Sequence, residues 1–587
     1  MKRIFTFILC LVLILTAALS SCTNEGQSLP SDESLPTQNS TQKESDLETE
    51  AATKEMNKNP ALTRQDLIDK TKFSPTLYAT DEIVTADKTI AGSFDAWKDE
   101  VFKNNKNNDD PTENALINSP FHKLAVNGTS VPVYTARCGK GAHSLAWIDI
   151  SSNGQFLLDV ELKLSIDAQK CVVLPESREV ELSLENSTVK TDISDTGSFT
   201  FTFAKNSLDE ATDPTLAPLT VMVTRADRLM IPDGYKKLEI APAYHEDGAL
   251  EFTESNTVYV IKAGLHKISS IGLPSDSILY IEQGAYIQVE DRINSDGSHN
   301  TRTAIHADDV SNVKIISRGL LDCGKLQGGD GKYKHVVNTS RSKNVQIKGL
   351  TIINSNTWTI CAYSAENPVI ESNLLLSYRT YSDGIMMSEC TGGIGRYNFV
   401  RTGDDAIEFK GTGWWNGNDK TGTDCIYEYN DLWTDKGAGY CLTWESERPM
   451  NKMIFRNNSV GFAQPTWTDR NTAIDCLLGT NSSTEWSNIT FENIEIYRVI
   501  SPNAINVQIQ GKGAVLKDIL FKNIAVSHAD SGVYAFRMHF SATGGGIYNI
   551  TLDKVSFCGK LLSSSDVGNT AIFCNQAPDF FANLTVK

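Results

Sequence analysis

The chain is 587 residues long and carries 54 lysines and arginines against 72 aspartates and glutamates, a formal net charge of −18. That length allows more than one domain. The acidic balance repels nucleic acid and other polyanions at long range, which favours a neutral substrate.

The N-terminus places Lys2 and Arg3 before an apolar run from Ile4 to about Ala18. The run is shorter than the roughly 20 residues a spanning helix needs, so it is read as a secretory signal. The stretch Leu19-Ser20-Ser21-Cys22 resembles a bacterial lipobox. That resemblance implies that residues 1–22 are a lipoprotein signal peptide and that Cys22 is lipidated. The chain is then exported and held outside the cytoplasmic membrane or at the cell surface, with the lipid anchor as its only membrane attachment. From Thr23 to Pro60 the chain is rich in Ser, Thr, Gln and Glu and nearly free of aromatics. Such a composition cannot bury enough surface to offset chain entropy, and a disordered spacer is expected over residues 23–75.

A short helix followed by a polar loop is expected in SFDAWKDEVFKNNKNNDDPTEN, residues 93–114. Alternating segments then follow, among them FHKLAVNGTSVPVYTAR, GQFLLDVELKLS and GSFTFTFA, punctuated by Asn-Gly, Gly and Pro. They predict an antiparallel sheet pair, a small β-sandwich over residues 76–235.

Beyond Asp233-Gly234 hairpins give way to repetition. NVKIISRGLLD (312), NVQIKGLTIIN (344), NITFENIEIY (488) and DILFKNIAVS (518) share one grammar: a short strand, an Asn or Gly bend, another short strand. Units returning after roughly 23 to 35 residues fall in the solenoid range, and one coil cannot bury its apolar face alone. The recurring Asn457, Asn493 and Asn523 suit a left-handed backbone position and a ladder of side-chain amides. The fold predicted for residues 236–587 is a right-handed parallel β-helix of nine or ten coils, so the whole chain is all-β. Ten cysteines remain besides Cys10 and Cys22, with no CxxC pair; Cys361, Cys390, Cys425, Cys441 and Cys476 sit in strand-like segments and are read as buried thiols.

Stacking makes residues one coil apart spatial neighbours, about 4.8 Å per rung. RTGDDAIEFKG (401–411) carries Asp404 and Asp405, and one coil upstream TYSDGIMMSE (380–389) carries Asp383. Adjacent strand residues point to opposite sides, so both aspartates reach one cleft only at a bend, for which Gly403 supplies backbone freedom. Asp-Asp pairs are mostly solvated turns, as in NNDDP (107–111) and HADDV (306–310). The third carboxylate at coil spacing sets this pair apart, because paired carboxylates are what acid–base cleavage of a glycosidic bond requires.

The SDG and GDD arrangement on a β-helix resembles the clan that contains the polygalacturonase family and the dextranase/isopullulanase family. The preceding sandwich resembles the dextranase side more closely. The resemblance covers the chain from about Pro242 onward. It implies an inverting glycoside hydrolase with Asp404 as general acid and Asp383 and Asp405 as the pair that activates water, without metal or cofactor. It also implies a polysaccharide or oligosaccharide substrate. Inversion leads us to expect roughly 6.5 to 9.5 Å between acid and base.

The sequence departs from the polygalacturonase pattern in DKGAGYCLTWESE (435–447), where Ala438 replaces a histidine, Glu445 and Glu447 follow, and no obvious basic pair appears. A neutral α-glucan is therefore expected ahead of pectin. Lys410, in EFKG, is placed to meet a carboxylate or a sugar hydroxyl. Aromatic faces stack on sugar rings, which makes Trp414 and Trp415 of GTGWWNGND, with Tyr381, Trp358, Trp444 and Trp467, the cleft candidates; Glu445 completes the substrate set. His306 and His335 lie on the same side and are given no role. A polygalacturonase-like hydrolase, a polysaccharide lyase and a non-catalytic carbohydrate-binding β-helix are the alternatives. Nothing calls for nucleic acid, and a monomer is expected.

Overall fold

The computed structural model describes residues 62–78 and 116–587, apart from 140, 207–215, 227–228, 244–247, 301, 329–331, 333, 414–420, 443–444, 465–471, 541–544, 570 and 575–580. Cys22, the segment 93–114, Trp414, Trp415, Trp444 and Trp467 lie outside the described residues.

The first fold element already corrects the expected spacer. Arg64–Lys70 is a helix closed by a capping box, in which the Thr63 hydroxyl bonds to the Asp66 backbone and the Asp66 side chain bonds back to Thr63. Phe73–Pro75 then pairs with the strand Gly141–Ile150. Composition marked these residues as spacer because the ordering contacts are non-local: Arg64 reaches Asp159 and Asp192.

The sandwich consists of a seven-stranded and a five-stranded sheet. Alternation explains its inner core, where Val160 and Leu162 of one sheet meet Phe199 and Phe201 of the other. The sheets are not wholly antiparallel, since Leu219–Arg225 runs parallel to Gly141–Ile150. Gly141–Ile150 is buried on both faces along its whole length. Its outer face explains this: Leu145 and Trp147 pack, with Tyr134 and Met222, against Tyr286, Leu320, Leu374, Leu376 and Phe399 of the second domain.

That second domain is a right-handed parallel β-helix. Its ladder starts at Lys236–Ile240, and one of its long parallel sheets has twelve strands, more rungs than the nine or ten expected. The early coils, such as Thr257–Ile261 with Gly264–Ile268, turn through Gly and Asp as well as Asn, so their repeat is less uniform in sequence. Inside runs a continuous apolar column, with Ile360, Ile385, Ile407, Tyr440, Ile474 and Ile505 on successive rungs of one sheet. Among the described residues no helix is long and apolar enough to cross a membrane. All ten cysteines there are unpaired, and Cys361, Cys390, Cys425, Cys441 and Cys476 are buried.

Amide ladders run along the coils; besides the exposed one of Asn367, Asn344 and Asn312, two differ sharply in burial. The outer one holds the expected residues: Asn523 donates to Asn493 and Asn493 to Asn457, each at 2.9 Å. The inner one is the buried column Asn373, Asn398, Asn430 and Asn458. The Oδ1 of Asn398, Asn430 and Asn458 each accepts from both the backbone and the side-chain nitrogen of the Asn one coil earlier, and Asn373 Oδ1 accepts from the Leu350 N–H. Each Nδ2 also donates to a main-chain carbonyl, as from Asn398 to Ile370 at 3.0 Å.

The two ladders differ in what their loss exposes. Asn398→Ala strands the backbone N–H of Asn373 in the core and is expected to cost about 2–4 kcal/mol. Asn493→Ala on the exposed ladder should cost under about 1 kcal/mol. Guanidinium midpoints compare the two variants, and equal shifts would contradict this assignment.

Candidate active site

The strand Phe399–Thr402 leads into the bend Gly403-Asp404-Asp405-Ala406, and the chain leaves as the strand Ile407–Lys410. The coil before it makes the matching turn through Ser382-Asp383-Gly384 into Ile385–Ser388. The turns are tied directly. Gly384 N–H donates to the Asp405 carbonyl at 2.8 Å. Ser382 Oγ donates to the Arg379 carbonyl at 2.6 Å and accepts from Gly403 N–H at 2.9 Å. The buried Arg379 holds this corner from behind, donating to the carbonyls of Leu326 and Gly324 at 2.6 and 2.9 Å.

Gly403 is required for a different reason from the one its position suggests. It does not adopt a positive φ; instead, a Cβ there would stand 2.2 Å from the Arg379 carbonyl oxygen. Gly437, on the following coil, likewise leaves room for the Asp404–Asp405 peptide, 2.4 Å from where its Cβ would lie. Glycine on both sides lets the acid bend sink between its neighbours.

One carboxylate oxygen from each of Asp383, Asp404 and Asp405 lies within 4.8 Å of the others, and all three residues are buried. This is tighter than the spacing expected for inversion. Two of the three come from one bend of one chain, which limits how far they can separate. Asp404 Oδ2 accepts from the Tyr381 backbone N–H at 3.2 Å, and Asp405 Oδ1 from the Ala438 N–H at 2.5 Å. Asp383 Oδ2 is buried without a hydrogen-bond partner among the described residues.

Burial first, and then the neighbouring Asp405 charge, pushes the Asp404 carboxyl up to about 7. Burial, Glu408 and Asp404, in that order, hold the Asp383 carboxyl well above its ordinary range. The cluster therefore retains protons near neutral pH.

Glu408 is the residue that sequence reading missed. Ile407 and Phe409 face the core, so Glu408 and Lys410 face outward, yet both are almost wholly covered. Glu408 Oε1 lies 2.7 Å from Lys410 Nζ, and Lys410 reaches Glu445 at 3.1 Å and sits over the Trp358 ring at 4.6 Å. Burial leads in raising the Glu408 carboxyl well above its ordinary range. Strict alternation along IEFK was the available signal, since a Glu on the face opposite two apolar residues lies beside Asp405. Lys410 thus meets a carboxylate of the protein and does not stand open to the cleft. A donor set of Asp405, Glu408 and Cys441 lies within 4.8 Å, as does the aspartate trio, so either group is close enough to share an ion.

The remaining candidates divide clearly. Tyr381 is 49% exposed at the rim, and its backbone, with φ +67°, is what touches Asp404. Glu445 is partly exposed beyond Lys410. Ala438 is buried where the polygalacturonase pattern has histidine. Lys436 is a cation the sequence did not single out; it donates to Thr380 Oγ1 at 3.0 Å and lowers Asp404 slightly. His335 packs on Trp358 with ring centroids 5.2 Å apart, while His306 lies 3.5 Å from Glu251, and neither joins the trio.

No family model and no curated protein matches the chain. Among solved structures it is similar to Dex49A from Penicillium minioluteum, at 12% identity and a TM-score of 0.57, over 82% of this chain and 96% of that one. It is also similar to a family 28 exopolygalacturonase from Yersinia enterocolitica, at 16% identity and a TM-score of 0.42, over 62% and 78% of the two chains. At 12% identity the property shared with Dex49A is the fold.

The raised Asp404 carboxyl has a stability consequence. A carboxyl whose folded-state value lies above its unfolded one supports the fold fully at low pH and loses that support as pH rises from about 4 toward 7. Asp404→Asn removes the charge that must otherwise be buried. It should therefore raise the melting temperature at pH 8, by on the order of 2–4 kcal/mol in stability, and leave it unchanged near pH 4. Calorimetry at the two values checks this, and destabilisation at pH 8 would contradict it.

Proposed function

We propose that the chain is a polysaccharide hydrolase that cleaves glycosidic bonds with the trio Asp383, Asp404 and Asp405. The observation that carries this reading is a buried three-carboxylate cluster in which one oxygen of Asp383 has no hydrogen-bond partner among the described residues. A buried unpartnered oxygen costs free energy unless a water or substrate hydroxyl occupies it. Asp404, pushed up to about 7, holds the proton that passes to the leaving glycosidic oxygen as the C–O bond breaks. Asp405, oriented by the Ala438 N–H, takes a proton from the attacking water, which Asp383 helps to hold. Neither Asp383 nor Asp405 bonds to the sugar in this reading, so water adds from the face opposite the leaving group and the anomeric configuration inverts, even though the carboxylates stand closer than the usual inverting separation. The similarity to Dex49A supports the fold on which this reading rests.

The substrate is a neutral polysaccharide of the α-glucan type. Lys410, the buried cation nearest the acids in sequence, is already flanked by Glu408 and Glu445. Ala438 offers only its backbone. A uronate chain would meet Glu408, Glu445 and a lysine already paired with both, whereas a hydroxylated chain carries no charge to be repelled. We also propose that Cys22 carries a lipid that holds the enzyme outside the cytoplasmic membrane; palmitate labelling lost in Cys22→Ala tests this, and labelling that persists would overturn it.

Reducing-end release from dextran, pullulan and polygalacturonate tests the main reading. A neutral glucan should be cleaved, and Asp404→Asn should lower kcat by about 10²–10⁴-fold with a smaller change in KM. Because the acid must be protonated, kcat should fall as pH rises through about 7. Proton NMR of the first product should show the inverted anomer. Release from polygalacturonate alone would overturn the substrate assignment, and a retained anomer would overturn the assigned roles.

A further inference from the structure

A second surface, on the opposite edge of the sandwich contact from the acids, has the chemistry of a sugar-binding site. Tyr397 and Asp404 belong to the same coil and flank the strand Phe399–Thr402, whose four residues alone span roughly 13 Å at about 3.3 Å per residue. The outward residues of that strand, Phe399 and Arg401, are covered by the sandwich through Tyr134 and His143. The acid bend therefore emerges on one side of the sandwich and Tyr397 on the other.

Tyr397 and Tyr429 occupy the column of left-handed bends that Asn457, Asn493 and Asn523 continue. All five have φ between +52° and +56°, a region that asparagine tolerates well and a bulky aromatic residue rarely enters. The two tyrosine rings stack at 5.2 Å with planes 10° apart, yet they remain 37% and 41% exposed. Apolar packing against the body of the fold does not account for them.

The outer amide ladder breaks at this point. Asn457 Oδ1 accepts from Asn493, but the next rung is Tyr429, which offers no amide oxygen. Asn457 Nδ2 therefore has no acceptor among the described residues. An aromatic face with a free amide donor beside it matches a pyranose, whose C–H face is apolar and whose rim carries hydroxyl acceptors.

Both groups open into a groove of about 1180 Å³ between the β-helix and the sandwich. The sandwich wall presents Ser183, Lys190, Asp192 and Asp195, and the floor continues through Asn493 and Asn523. We propose that this groove is a non-catalytic binding site for a neutral carbohydrate chain, with a sugar ring stacked on Tyr429 and a hydroxyl accepting from Asn457 Nδ2. Seven carboxylates line the groove against Arg64, Arg178 and Lys190, an acidic balance that disfavours a polyanion. The choice of carbohydrate rests on the hydrolase reading, but the groove shares no residue with the acid cluster.

Tyr429→Asn is the informative variant, because it installs the column's own residue. It removes the ring and also supplies the acceptor that Asn457 lacks, so the fold is kept. Retardation in native gels containing dextran, pullulan or polygalacturonate is measured for Asp404→Asn and for Asp404→Asn with Tyr429→Asn, with matched melting temperatures as the folding control. A neutral glucan should retard the first protein, and the added substitution should weaken that binding at least fivefold. Unchanged retardation, retardation by polygalacturonate alone, or none in any gel would overturn the site. Hydrolysis by the unsubstituted chain is assayed alongside. Cleavage of a glucan with Tyr429-independent retardation leaves the hydrolase reading standing and removes the groove, whereas Tyr429-dependent retardation without cleavage does the reverse.

Discussion

Everything in the candidate site depends on the main-chain hydrogen bonds between successive coils. A parallel rung fixes register absolutely: Ile385 stands opposite Ile407, and Gly384 N–H is bonded to the Asp405 carbonyl. A side chain one coil away in sequence is thereby brought within hydrogen-bonding range in space. The protein uses this to concentrate like charges that would drift apart on any independent loops. The stacking free energy of a long apolar column holds them together, at a cost in burial and repulsion that is read out in the raised carboxyls.

The sandwich gives that arrangement its stiffness. Its outer sheet face packs Trp147, Leu145 and Tyr134 onto the strand layer that feeds the acid bend. Two buried arginines bridge the domains or brace the bend: Arg318 pairs with Asp149 at 2.8 Å, and Arg401 pairs with Asp435 at 2.8 Å while touching His143 at 3.1 Å. Such ion pairs contribute little net stability when compared with apolar substitutes, but they specify one docking geometry. Phe399 and Arg401 are thus fixed from outside, Val400 from the core, and the two aspartates follow three residues later with little freedom of their own.

Much of this was legible in the sequence, for a physical reason. Coil spacing converts directly into proximity, so Asp383 could be set beside Asp404 and Asp405 without coordinates, and Asn457, Asn493 and Asn523 announced their ladder. What escaped depended on contacts that sequence distance hides. Arg64 folds its helix onto the sandwich across 95 and 128 residues. The inner asparagines Asn373, Asn398, Asn430 and Asn458 looked like ordinary bend residues, because their irregular coil lengths blur the repeat. Gly403 was identified as necessary, but steric approach to Arg379 and not backbone conformation is what excludes a side chain. Glu408 was hidden by its setting in IEFK, where one polar residue between two apolar ones looks like a solvated strand face. Only the covering groups around it turn that face into an interior.

Whether these carboxylates activate water or remove a ring proton is the point on which the account turns. Cleavage of the neutral polysaccharide in water enriched in oxygen-18, followed by mass spectrometry of the first products, addresses it directly. Water activated by these carboxylates places one labelled oxygen at the newly formed reducing end of each cleavage, with no unsaturated product. Unlabelled, unsaturated ends would contradict it, because they would mean bond breaking by elimination and a different task for Asp383, Asp404 and Asp405.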